Sequence, residues 1–192
     1  MCFYWSYDRT GTTLNWTRNS GPTNLFCGRH VFAFEHHVPS NDLLLYGGST
    51  LSAARYQDTW RLDLGTKSPP WKHDPMAPPG PGSSMGVAYH PADDVMVIFG
   101  GNSSGNDHVA TTWTWDGTDW TQIALTGPQP AARSSPAMAY LPGEGVVLFG
   151  GETFGNQYLC DTWILDDSTR RWRHVPTATH PNARNAAALL LE

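Results

Sequence analysis

Histidine and cysteine are the side chains of this sequence best suited to hold a metal ion or to act as nucleophiles, and their spacing favours neither use. His36 and His37 are adjacent, while His90 and His108 lie far along the chain. There is no His-x-His and no His-Glu-x-x-His, the spacings that aim two imidazoles at one zinc ion. Cys2, Cys27 and Cys160 include no Cys-x-x-Cys and cannot all pair within one chain, so neither a disulfide framework nor a zinc knuckle is expected. No residue sits on a recognisable nucleophile turn, so no Ser-His-Asp arrangement is assigned. His37 and His90 fall near corresponding turns of neighbouring repeat units, which makes them the best of a weak set of metal candidates. No metal and no cofactor is expected.

Chemistry without a local motif must come from groups that the fold gathers. Three connections of equal length, 49–57, 102–110 and 152–160, hold residues with no repeating rationale: Arg55, Tyr56, Asn106, Asp107, His108, Asn156, Gln157 and Tyr158. Equal length puts them on the same face of successive units, where they would form one polar, aromatic-dotted binding surface on a rigid scaffold. A protein or a small polar ligand such as a carbohydrate would suit it. A net charge of -5 without a basic stripe argues against nucleic acid. Arg170, Arg171 and Arg173 cluster, but Asp166 and Asp167 sit beside them, as on a solvated turn. Nothing is apolar for the 18 residues of a membrane span, and Met1 to Ser6 lacks the regions of a secretory signal. The cytoplasm is the default location, with secretion expected instead if an upstream portion precedes Met1.

The elements that position these loops are written in a repeat. A double glycine recurs at Gly47-Gly48, Gly100-Gly101 and Gly150-Gly151, in steps of 53 and 50 residues. A tryptophan lies 12 residues beyond each pair, at Trp60, Trp113 and Trp163, and an aspartate three residues later, at Asp63, Asp116 and Asp166. A further tryptophan follows at Trp71, Trp120 and Trp172, and Trp5, Asp8 and Trp16 repeat this half-unit upstream. A period near 50 residues marks stacked supersecondary units.

Within each unit the patterning is that of short strands. Apolar runs such as Leu43 to Tyr46, Val95 to Phe99 and Val146 to Phe149 are bounded by turn residues and closed by glycines, the mark of a sheet-core strand. Strands are further expected over Met1 to Asp8, Leu14 to Arg18, Arg29 to Glu35, Asp58 to Leu64, Met85 to Tyr89, Thr111 to Trp115, Ala137 to Leu141 and Ala186 to Leu190. Asp116-Gly117 is a strong hairpin signal, because glycine takes positive φ cheaply. Almost no helix is expected. Four short antiparallel strands cannot hide two apolar faces alone, so each sheet must pack on its neighbours.

An apolar strand ending in Gly-Gly, an Asp-Thr-Trp about ten residues on, a second tryptophan and an Ala-Arg lead into the next strand together resemble the kelch repeat. Gly47-Gly48 with Asp58-Thr59-Trp60 and Gly150-Gly151 with Asp161-Thr162-Trp163 match fully. Gly100-Gly101 is followed by Thr111 instead of the aspartate. The arginine lead is met at Arg133 and Arg184, is Gly82 in the second pass, and reads as Cys27 in the first, with Arg29 two positions late. The resemblance covers essentially the whole chain, in repeat segments of about 1–18, 25–74, 82–123, 133–175 and 184–192, as one domain.

The resemblance implies an all-β fold: kelch-type β-propeller blades of four antiparallel strands, about three and a half of them, as a part of a longer ring, a ring completed by another copy, or a small closed or open array. Exposed end blades would favour self-association. It also implies that the glycine pairs and the tryptophans are structural, and that Asp58 and Asp161 tie loops together, with Arg133 or Arg184 as a salt-link partner. The main functional expectation is a non-catalytic binding or interaction scaffold. The alternative is a portion of a catalytic kelch-like propeller, such as a copper-dependent oxidase or a sugar-acid epimerase.

Overall fold

A computed structural model describes residues 3–10, 13–20, 29–52, 54–65, 71–74, 80–103, 105 and 107–189. The fold among them is all-β. A hairpin of β1 (Phe3–Thr10) and β2 (Thr13–Ser20) is followed by three four-stranded antiparallel sheets. The first blade runs in space as β3 (Ala33–His37), β4 (Asp42–Tyr46), β5 (Thr59–Asp63) and β6 (Lys72–Asp74). The second is β7 (Gly86–His90), β8 (Val95–Phe99), β9 (Thr112–Trp115) and β10 (Trp120–Gln122). The third is β11 (Ala137–Leu141), β12 (Gly145–Phe149), then β15 (Thr162–Asp166) and β16 (Trp172–Val175). Between its second and third strands stands a small extra hairpin, β13 (Glu152–Thr153) with β14 (Gln157–Tyr158). The first strands β3, β7 and β11 are neighbours in space, so the blades splay outward from a shared inner edge.

The register makes the repeat explicit. Ala33, Gly86 and Ala137 face Tyr46, Phe99 and Phe149 across the first strand pair of each blade. An aspartate at the end of each third strand, or just past it, caps the turn that follows. The Asp116 carboxylate accepts from the amides of Thr118 and Asp119, both at 2.9 Å, and Asp166 from those of Ser168 and Thr169 at 3.0 and 2.9 Å. The turn amides hold the Asp116 carboxyl below its usual range.

The core lies between sheets. Ala33 and Tyr46 of the first blade pack with Met85, Ile98 and Trp113 around the second, and Ala88, Val97 and Phe99 pack with Met138, Leu148, Leu165 and Trp172. Outer tryptophans reach across: the Trp120 indole N–H donates to Thr59 Oγ1 at 2.9 Å, and that of Trp172 to Thr112 Oγ1 at 3.0 Å. These two indoles thus tie neighbouring blades together.

Two expected strands differ. The strand read from Arg29 begins only at Ala33, because Val31 takes a left-handed conformation (φ 50°) that an extended strand excludes. Ala186 takes the same conformation (φ 48°), and 186–189 form no strand, since no second strand lies beside them among the described residues to complete a ladder. The two-position lag of Arg29 also disappears in space. Arg29 precedes Ala33 by the same four residues that separate Arg133 from Ala137, and it makes the same contacts.

Candidate functional site: the inner edge of the blades

The glycine pairs clasp each blade to the next. The amides of Gly101 and Gly151 donate to the carbonyls of Arg133 and Arg184, both at 2.8 Å, and that of Gly48 to Gly82 at 2.6 Å. A Cβ on Gly47 or Gly150 would stand 2.6 Å from the same carbonyl oxygens, and both glycines have positive φ. Close approach of two backbones explains the pair fully. Beneath the clasp, Arg29 and Arg133 are buried ties. Arg133 donates to both Asp161 oxygens at 2.7 and 2.8 Å and to Gly150 O at 2.9 Å; Arg29 does the same to Asp58, at 2.6 and 3.1 Å, and to Gly47 O at 3.0 Å. The indoles of Trp60 and Trp163 complete each tie at 2.7 Å. Arg184 instead donates to Asn182 O.

From this clasp the chain enters the inner edge through a row of left-handed residues: Val31, Ser84, Ser135 and Ala186, with φ between 48° and 58°. The Ser84 amide donates to Val31 O at 2.8 Å, Ser135 to Ser84 O at 2.6 Å, and Ala186 to Ser135 O at 3.0 Å. Each residue thus holds its counterpart in the next blade. Such conformations are costly in non-glycine residues and persist only where the surroundings impose them. The four line a cavity of about 200 Å³ at the mouth of the inner edge.

Farther along the inner strands lies a second cavity of about 230 Å³, lined by Glu35, Tyr89 and Tyr140 with Ala88, Met138, Ala139 and Leu189. Glu35 breaks the repeat. By register its counterparts in the second and third blades are Ala88 and Ala139. Burial pushes its carboxyl above the usual range, against the opposing pull of the His36 amide and ring. One position on, the counterparts are His36, Tyr89 and Tyr140. The Tyr89 hydroxyl donates to Asp94 at 3.1 Å and that of Tyr140 to Asp167 at 2.9 Å. Both phenols are raised, Tyr89 by burial and then Asp94, Tyr140 by the Asp167 hydrogen bond and then burial, so both stay protonated. Their single protons being committed, the phenol oxygens can accept from sugar-type hydroxyls, while Glu35 can exchange a proton.

The sequence-derived loop residues lie elsewhere, beyond the glycine pairs. Arg55, His108 and Tyr158 do occupy equivalent positions, pairing Ser49, Asn102 and Glu152 respectively. Arg55 donates to Ser83 Oγ at 3.1 Å, and the Tyr56 ring lies 3.8 Å from the Arg29 guanidinium carbon, so part of this set serves blade contacts. Asp107 closes its loop through a bond to the Ser103 amide; Asn156 (φ 60°) and Gln157 sit on the tip of the small hairpin, and Tyr158 is 53% exposed. Asn106 lies outside the described residues. Glu35, Tyr89, Tyr140, Ser84 and Ser135 were not singled out from sequence. The available signal was a carboxylate at a position that is alanine in the other two units, readable only once the strand registers are superposed.

The metal candidates serve blade contacts too. His37 pairs with Asp94 at 3.1 Å and with Ser40, while His90 pairs with Asp167 at 2.8 Å. Among the described residues, no three His, Cys, Asp or Glu side chains are grouped so as to hold a metal ion, and Cys27 lies outside them. No helix among them is long and apolar enough to cross a membrane.

Comparison with solved structures finds the same fold in the structure of YjhT, at 13% identity and a TM-score of 0.63, over 84% of this chain and 49% of that one. This chain therefore spans about half the length of the solved chain it matches. No curated protein sequence matches it. The likeness to YjhT stands as a correction to the expectation of a purely non-catalytic interaction scaffold; at 13% identity what it shows is the shared fold. The model of the KLHDC2/KLHL20/DRC7 Kelch-repeats domain matches residues 4–191, nearly the full length and the same repeats described above, and the chain belongs to this kelch-repeat family.

Proposed function

We propose that the chain is a portion of a catalytic kelch-like propeller that works on a sugar acid by proton transfer, in the manner of an epimerase. The observation that carries this reading is Glu35, a half-buried carboxyl of raised pKa facing a cavity where the other blades present alanine. A carboxyl shifted toward neutral pH can take a proton from a substrate carbon beside a carboxylate and return one. Tyr89 and Tyr140, fixed by Asp94 and Asp167, would accept from substrate hydroxyls.

The test is proton NMR of purified protein in deuterated water with a panel of hexuronic and other sugar acids. Inversion of one stereocentre with deuterium uptake is expected, and Glu35→Gln should slow it at least about 100-fold. Folding is checked in the same variant. A raised carboxyl penalises the fold above its unfolded pKa and not below it, so Glu35→Gln should be more thermostable than the parent at pH 7 and equal to it near pH 4. No exchange in the parent, or parental rates in the folded variant, would overturn the reading.

A further inference from the structure

The two interfaces between blades are not filled alike. At the first, Trp115 is fully buried, with the His37 ring at 5.2 Å and the Arg61 guanidinium 6.0 Å from its own ring; Arg61 is capped by Asp42 at 3.9 Å. At the second interface, the register puts Leu165 where Trp115 stands, Thr114 where Arg61 stands, and Val95 where Asp42 stands. All three changes remove bulk or charge. What they leave is a cavity of about 320 Å³, walled by Val95, Val97, Ile123 and Leu165, with Thr114 beside them. Asp93 and Arg170 line it as well, and they are paired with each other.

We propose that this gap between the second and third blades is a binding site for a neutral, flat aromatic ring system of indole size. The shape follows from the homologous interface, where an indole occupies the corresponding place. Neutrality follows from the lining: the walls are aliphatic, and the two charges present cancel each other. Aliphatic walls of this kind favour a small aromatic molecule over water. Among the described residues none lines both this cavity and the one at Glu35, so the site is independent of the proton-transfer reading.

Indole itself is the probe, followed by saturation-transfer NMR and thermal denaturation of the purified protein. The parent should transfer saturation to indole and gain melting temperature as indole is added. Leu165→Trp supplies the ring covalently; it should melt higher without ligand and bind indole at least about tenfold more weakly. Thr114→Arg, which rebuilds one member of the first interface and leaves the aliphatic walls in place, should weaken binding as well and serves if Leu165→Trp fails to fold. An absence of transfer and of thermal shift in the parent overturns the proposal, as does parental affinity in the folded variants.

Discussion

Arg133 is fully buried, and its guanidinium is shared between a carboxylate, two backbone carbonyls and the interior. Burial raises the Asp161 carboxyl, but the bonds from Arg133 and Trp163 outweigh it and hold the group below its usual range. Asp58 behaves alike with Arg29 and Trp60. The second unit shows what happens without the pair. Gly82 and Thr111 replace arginine and aspartate together, the Trp113 indole nitrogen has no hydrogen-bond partner among the described residues, and the Arg55 side chain lies against Gly82 instead. Loss of both partners is tolerated where loss of one is not, because a lone buried charge has nothing to offset its desolvation. Arg133→Met should therefore cost about 3 to 5 kcal/mol in urea denaturation at pH 7. Both carboxyls are depressed, so their contribution is complete above the unfolded pKa near 4 and drains away as pH falls through the lower folded values. The gap between parent and Arg133→Met should narrow over that acid range.

At the scale of the element, each second strand must end within contact distance of the next blade, and glycine does this twice over. Gly100 has φ 69° and lies against Arg133 O, whereas Gly143 has φ 80° and nothing within 4 Å of a would-be Cβ. Gly143→Ala should therefore cost only the left-handed penalty of about 1 to 2 kcal/mol. Gly100→Ala must in addition push two blades apart, and its loss by chemical denaturation should clearly exceed that of Gly143→Ala. Equal losses would mean that the glycine pair serves local conformation alone. The inner strands carry the converse lesson. Their first residues are extended only after a left-handed residue has turned the chain, so an apolar stretch such as Arg29 to Glu35 reads as one strand while folding as a bend and a shorter strand.

Across the whole molecule, stability is carried by the surfaces between sheets, as in other repeat folds. The bonds from Trp120 to Thr59 and from Trp172 to Thr112 join outer strands of one blade to the third strand of the one before. Thr112 is 1% exposed, so Thr112→Val leaves the Trp172 indole N–H buried and unpaired, at about 1 to 3 kcal/mol. A double-mutant cycle with Trp172→Phe should return a coupling of at least about 0.5 kcal/mol; a smaller value would show that the bond does not link the blades.

The sequence by itself determined the repeat, most of the strands and their antiparallel order, because each rests on local periodicity and on the turn residues that bound it. It missed Glu35, which lies inside an ordinary strand and becomes distinctive only beside Ala88 and Ala139. It likewise could not tell that Trp115 and Leu165 answer to one another across two interfaces. Such meaning depends on which residues of different blades share a place around the inner edge. Only tertiary packing brings those residues, some fifty apart in sequence, to one register.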